Sequence, residues 1–304
     1  MAISRHQLVK ELEPGLNALF GLEYNRYDNQ HAEIYTSENS DRAFEEEVML
    51  SGFGNAQVKG EGAGVSFDDA QETYTARYTH ETVALAFAIT EEAIEDNLYD
   101  RLSARYTKAL ARSMSNAKQV KAIEPLINGL PSTATFKSGD GVALFSTSHT
   151  TVSGPNVANT LATQADLNET SLEQSMIDIA KMTDERGLRI AARGLKMIIP
   201  SELQFTAERL MKSQGRTGTA DNDINAIVSM GMVPQGYRVN NYLTDSDAFY
   251  ILTDIPNGMK MFTRAPLTTA MEGDFDTGNV RYKARERYSF GVSDYRGIFG
   301  VEGA

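Results

Sequence analysis

The sequence predicts an α+β chain in which an arm and a glycine-rich extended loop precede a long helix, an α/β unit and a long returning strand. Three observations predict it. Large apolar residues recur at steps of four from Ile94 to Met114, the spacing of one helical face. Strand-like alternation flanks that helix at a distance, over Glu72–Ile89 and Arg281–Phe290. Between them, two helix-start signals around Thr170–Glu173 and Ser201–Gln204 enclose the short apolar run Leu195–Ile199.

Composition sets the outer limits. At roughly 150 residues per domain, 304 residues make one large domain or two ordinary ones. Apolar residues are 41% and charged residues 23%, close to soluble globular chains. Lys and Arg total 29 against 41 Asp and Glu, a formal charge of −12; this argues against a chain-wide basic footprint for nucleic acid or anionic membranes. With no cysteine, disulfides, thiolate metal sites and cysteine nucleophiles are excluded. No run approaches the roughly 20 apolar residues that span a bilayer, and the start Met1-Ala-Ile-Ser-Arg-His6 lacks a signal-peptide pattern. The sequon Asn168-Glu-Thr170 therefore reads as helix-start chemistry rather than a glycan site.

Taken in order, residues 1–50 form the arm. Pro14-Gly15 is expected to break any early helix. Tyr24, Tyr27 and Tyr35 stand among polar residues with Ile34 the one large aliphatic nearby, so the segment lies on something else; a short helix is expected over Arg42–Leu50. The extended loop, 51–89, opens with Gly52, Gly54, Gly60, Gly62 and Gly64. In its second half Tyr74, Ala76, Tyr78 and His80 hold even positions, while Val83, Leu85, Phe87 and Ile89 hold odd ones. A bulge, bend or break near His80–Thr82 accounts for the switch of face. Thr90 is the expected N-cap of a helix over 90–119, with Glu91 and Glu92 at its positive end; at 1.5 Å per residue it is about 40–45 Å long. A second helical stretch runs toward Leu130 and Pro131 ends it. Residues 131–165 read as a linker or long surface loop, with a domain boundary near 150–165. A helix from the Thr170–Glu173 box carries Leu172, Met176, Ile179 and Ala180 on one face, with Gly187 as its stop. A third helix carries Leu203, Phe205, Ala207 and Leu210. Strands follow at 236–242, 248–253 and 259–264, with Pro256-Asn-Gly258 as a turn.

The search for chemistry yields little. The glycine cluster lacks Gly-Lys-Ser/Thr and the Gly-x-Gly-x-x-Gly spacing. His6, His31, His80 and His149 show no metal-ligand spacing, and surface or locally hydrogen-bonded roles are expected. Ser148-His149 imitates a nucleophile beside its base, but no Gly-x-Ser-x-Gly elbow is present. Asp68-Asp69 and Glu45-Glu46-Glu47 read as solvated acidic faces. In the last strand Arg281, Lys283, Arg285 and Arg287 form a cationic stripe opposite Tyr282, Ala284, Tyr288 and Phe290, with Glu286 the exception on the apolar side. In so acidic a chain an acidic protein neighbour suits that stripe better than nucleic acid. No catalytic residue, cofactor site or metal site is assigned.

The order of elements resembles the major capsid protein of tailed bacteriophages, a fold shared with encapsulin-type shells. Asp140-Gly-Val-Ala-Leu-Phe-Ser-Thr-Ser-His149 looks like the segment after that family's spine helix, and Tyr288-Ser-Phe-Gly-Val-Ser-Asp-Tyr-Arg-Gly-Ile-Phe-Gly300 looks like its C-terminal ending. The resemblance implies an N-terminal arm (1–50), an extended β-hairpin loop (51–89), a peripheral domain (90–154 and 266–304) with a spine helix over Thr90–Lys118, and an axial domain (155–265). It further implies an icosahedral virion shell of hexamers and pentamers around double-stranded DNA, assembled in the host cytoplasm. Partners would be a separate scaffolding protein and a portal, with DNA contacted weakly, and no membrane. Some members crosslink a loop Lys to an Asn; Lys59 lies in the loop, but no partner Asn is indicated and no crosslink is expected. The alternatives are an encapsulin-type nanocompartment shell and a Ser148/His149 hydrolase.

Overall fold

The computed structural model describes residues 5–90, 92, 99–215, 223–274 and 278–304. In chain order, helix α1 (Arg5–Tyr24) leads through a 3-10 turn at Gln30–Glu33 to β1 (Thr36–Asn39). Strands β2 (Phe44–Leu50) and β3 (Glu72–Thr79) follow, then β4 (Glu81–Ile89) and helix α2 (Tyr99–Asn128). After a long irregular stretch come α3 (Glu169–Lys181), β5 (Gly194–Ile199), α4 (Gln204–Lys212) and α5 (Ala226–Ser229). The chain closes with β6 (Tyr237–Val239), β7 (Phe249–Thr253), β8 (Met259–Gly273), β9 (Val280–Val292) and β10 (Ile298–Val301).

Two four-stranded sheets organise the molecule, in the orders β1-β8-β9-β4 and β10-β7-β5-β6; β2 and β3 pair only with each other. The alternation along β9 decides the first sheet. Tyr282, Ala284, Glu286 and Tyr288 are buried beneath the helices, while Arg281, Lys283 and Arg285 face outward, the half-solvated pattern of an antiparallel sheet. The second sheet has both faces covered: Met197, Ile198, Ile199, Phe249, Tyr250, Ile251 and Phe299 are all buried. The main core runs without a break from α2 through the irregular stretch into this sheet, and a smaller core joins α1, α2 and β9.

Several expectations are corrected. Pro14 lies inside α1 rather than ending a helix. Loss of one backbone bond is offset by packing, because Leu16 and Phe20 are buried against Leu110, Ala111 and Met114 of α2 and Tyr282 and Ala284 of β9. The arm thus lies on its own chain, and Tyr35 anchors it by donating its hydroxyl to the Ala122 carbonyl at 2.6 Å. Residues 44–50 are a strand, not a helix. The expected 51–89 loop divides: 72–79 pairs with β2 and 81–89 joins β9. The face switch is a break between two strands at His80. Of the expected helix start, Glu91 and residues 93–98, with Ile94 and Leu98 among them, lie outside the described residues. Beyond it, the two expected stretches are one helix that continues through Pro125 to Asn128. Its buried face is Ser103, Thr107, Leu110, Ala111, Met114 and Gln119, whereas Tyr106 is half exposed.

The 131–165 segment is no surface linker, since Leu144, Phe145, His149, Val157, Asn159 and Leu161 sit in the core. α3 is capped two residues earlier than expected, by Asn168 paired reciprocally with Ser171, which bears out helix-start chemistry at the sequon. Ser175 is buried in place of Ala180, the helix stops at Lys181, and Gly187 serves a later turn. No side chain caps α4, and Phe205 points outward.

Candidate assembly interface

The β2–β3 hairpin projects with its apolar side away from the body. Along β2, Phe44, Val48 and Leu50 are exposed, while Glu45, Glu47 and Met49 turn inward. The reversal follows from what lies beneath. Lys260, 7% exposed in its side chain, reaches both Glu47 and Glu38, the latter at 3.1 Å. Ser293 donates to Glu47 and shares a hydrogen bond with the Tyr78 hydroxyl. Burial works against the Lys260 charge, but the hydrogen bonds it donates to Glu47 and Glu38 outweigh it and hold its pKa above the ordinary lysine value.

A second polar bridge stands where β3 breaks. His80 Nε2 meets Ser40 at 2.8 Å, Nδ1 meets Ser289 at 2.9 Å, and Ser40 donates to Glu45 at 2.7 Å. Burial and the nearby Arg287 and Arg264 lower the His80 pKa despite Glu45. Glu45 and Glu47, expected as a solvated acidic face, are therefore the seat of the hairpin, and Glu46 pairs with Arg77 at 3.7 Å. Such fully paired polar networks fix direction more strictly than apolar contact does.

Residues 51–71 extend beyond the paired strands. Gly54 donates its amide to Asp68 at 2.7 Å, and Arg186 holds Asp68 and the Asp69 carbonyl. The Gly54 amide is the main cause that keeps the Asp68 carboxyl below its ordinary pKa. Past this point nothing among the described residues covers the loop. Phe53 is 61% exposed, Phe67 97% and Val58 100%. Gly62, with φ of 77°, occupies the left-handed region at the turn. Phe53 and Phe67 were legible only as two aromatics in a glycine-rich loop, a signal with no periodicity to draw attention. Together with Phe44, Val48 and Leu50 they make an uncovered apolar surface of the kind that marks protein contacts.

The residues expected to mimic catalysis are structural. Ser148 is exposed and accepts a hydrogen bond from Asn156 at 2.7 Å. His149 is fully buried, with Nδ1 on Asp140 at 2.6 Å and Nε2 on the Asn159 side chain at 3.1 Å. Both ring nitrogens are engaged away from Ser148, so the pair is no nucleophile and base. Burial raises the Asp140 pKa, but hydrogen bonds from His149, Ser138 and Val142 outweigh it and leave the carboxyl below its ordinary value. The His149 ring stacks on Tyr295 at 3.8 Å. Asn159 donates to the carbonyls of Leu144 and Tyr295 at 2.7 and 3.1 Å. Gly300 packs against the Phe145 ring so closely that a Cβ would lie 2.6 Å from it. The two stretches that carry the resemblance, 140–149 and 288–300, are thus one packed unit.

Beside it Arg296, 2% exposed, pairs with Glu185 and Asp294 and donates to the Thr183 carbonyl at 3.0 Å. Burial raises the Asp294 pKa against the pull of Arg296. Under the arm, Glu286 is 1% exposed and accepts from Lys118 and from the Tyr24 hydroxyl, both at 3.2 Å. Burial lifts its pKa and Lys118 restrains it. Among the described residues no group of three or more His, Asp or Glu could hold a metal, and no helix is long and apolar enough to cross a membrane.

The family model for phage capsid protein matches residues 72–301, from the hairpin's second strand to the last strand. The chain belongs to the phage capsid protein family. This capsid protein has the α+β fold of phage major capsid proteins and an encapsulin. It is similar to the capsid of the empty GTA particle, with 14% identity, TM-score 0.57, and coverage of 90% of this chain and 89% of that one. It is similar to the capsid of Myoviridae phage XM1, with 12% identity, TM-score 0.54 and 89% of each chain covered. It also matches the SrpI encapsulin of Synechococcus elongatus PCC 7942, with 11% identity, TM-score 0.54, and 91% and 87% covered. No curated protein matches the capsid protein in sequence. Both family and fold are structural rather than enzymatic, and the family's shells are built from copies of one chain.

Proposed function

We propose that this capsid protein is the structural subunit of an icosahedral virion shell that self-assembles into hexamers and pentamers enclosing double-stranded DNA. The observation that carries the reading is the hairpin loop, whose Phe53, Val58 and Phe67 lie uncovered, the last two being the most exposed large apolar side chains among the described residues. A neighbouring copy supplies the missing cover. In this reading the arm is 1–50, the extended loop 51–89 with its last strand β4 seated in the peripheral sheet beside β9, the peripheral domain 90–154 and 266–304, and the axial domain 155–265, with β10 crossing into the axial sheet. A net charge of −12 keeps packaged DNA loosely held. A separate scaffolding protein and a portal complete the particle, which assembles in the host cytoplasm.

The test is a pair of measurements on Phe53→Ser/Phe67→Ser. The unassembled variant melts at the parent's temperature, because neither side chain is in the core, while sedimentation velocity shows that the variant no longer forms particles. A variant that assembles like the parent would remove the loop from the interface. The encapsulin match favours a second reading, a nanocompartment shell. Particles from the native source that protect double-stranded DNA from nuclease support the virion; particles that hold a protein cargo and no nucleic acid support the compartment.

A further inference from the structure

The β9 row on the outward face of the four-stranded sheet is cationic, with Glu272 of β8 opposite Arg281 at one end. Arg281, Lys283 and Arg285 stand in a row on β9 and are exposed, with Arg287 half-buried at its end. Alternate strand residues lie about 7 Å apart, so the row is about 20 Å long. Its floor is small: Ala88, Ala86 and Ala84 of β4 lie directly opposite Arg281, Lys283 and Arg285, and Ala270 and Thr268 of β8 lie opposite Lys283 and Arg285 on the other side. Among the described residues, the positions directly beside Lys283 and Arg285 are alanine and threonine alone.

Arg281 pairs locally with Asp274. Among the described residues no carboxylate lies within ion-pair distance of Lys283, Arg285, Arg287 or the adjacent Arg264. The Nε atoms of Arg264 and Arg287 are buried without an acceptor. Four unpaired cations on one face are unexpected in a chain with 12 more acids than bases. Solvated sheet faces ordinarily mix the two signs, because like charges side by side repel.

We infer that this sheet face is an electrostatic subunit contact, occupied in the particle by an acidic segment of a second copy of this chain. The inference rests on the shell reading above. Charge complementarity argues for the occupant: a surplus of 41 acidic over 29 basic residues makes another copy the most abundant acidic protein surface in a shell of identical chains. A patch of one sign meeting surface of the other across a heterologous contact continues around a ring.

The test uses the full chain under assembly conditions. An equal mixture of unlabelled and nitrogen-15-labelled protein is treated with a zero-length carbodiimide crosslinker, which joins lysine to carboxylate. Lys283 is expected in peptides that combine the two labels, joined to an Asp or Glu of another copy. Lys283→Glu/Arg285→Glu is expected to raise the concentration for half-maximal assembly about tenfold, the effect of a few reversed surface ion pairs. Lys283→Arg/Arg285→Lys should assemble like the parent, and the reversal should leave the melting temperature of the unassembled chain unchanged. Parent particles in which Lys283 is never joined across copies, with a charge-reversed variant that assembles normally, would overturn the contact alone. A variant that assembles normally but no longer binds a fluorescent DNA duplex would make nucleic acid the occupant and equally overturn it. A parent chain that stays monomeric would sink the shell reading and the contact with it.

Discussion

His31 shows how one side chain couples the arm to pH. It is 8% exposed, its backbone amide donates to the Gln119 side chain at 3.0 Å, and its ring meets Phe290 edge-on. Burial first, and Lys118 second, lower its pKa to about 4. The folded pKa lies below the unfolded value near 6.5, so the neutral ring is favoured by folding. Its contribution is complete above pH 6.5 and is lost as pH falls toward 4, up to about 3 kcal/mol. The difference in unfolding free energy between parent and His31→Phe should therefore vary across that window and be flat above it. A difference that stays constant from pH 7 to pH 4 would mean that His31 is not the titrating group. Arg296 acts at the same scale without titrating. Arg296→Met leaves Glu185 and Asp294 buried without their cation and should cost about 3–5 kcal/mol in denaturant unfolding; a loss below about 1 kcal/mol would mean that water reaches the cluster.

At the scale of elements, α2 is the support on which arm and sheet meet. Met114, 1% exposed, fills the space between α1, α2 and β9. Met114→Ala should destabilise the unassembled chain by about 2–5 kcal/mol by chemical denaturation. The loop is predicted to behave oppositely. Gly62→Val forces a β-branched residue into the left-handed region, about 1–2 kcal/mol of strain. The turn is exposed and outside the core, so the melting temperature should hold while the assembly threshold rises roughly 5- to 30-fold. Equal loss of folding and assembly would place the loop in the subunit's own core.

Legibility also divides by element. The β9 alternation, the apolar strand at 195–199 and the face switch at His80 were readable because each has one period and one burial pattern. The arm helix was missed because Pro14 outweighed Leu16, Phe20 and Tyr24, whose steps of four were there to be read. Strand β2 was misread because its alternation is inverted: carboxylates point to the body, and only the distant Lys260 and Ser293 explain why. Core residues at 144–161 were hidden because irregular backbone carries no period. Their burial depends on Tyr295 and Gly300, more than 130 positions away.

At the scale of the whole molecule, the hairpin gathers outward-facing apolar residues on charged supports, and its Val58 and Phe67 are the most exposed large apolar side chains among the described residues. That arrangement makes little sense for a solitary globule and much for a tile. The two surfaces proposed for assembly were readable in kind, as loop and stripe, but not in orientation, since only the sheet registers show which side each residue takes. The most direct measurement is single-particle cryo-electron microscopy of the purified full chain at assembly concentration. The account predicts closed shells in which the 51–71 loop lies against an adjacent subunit. A monodisperse monomer with Phe53 and Phe67 folded onto its own body would contradict it.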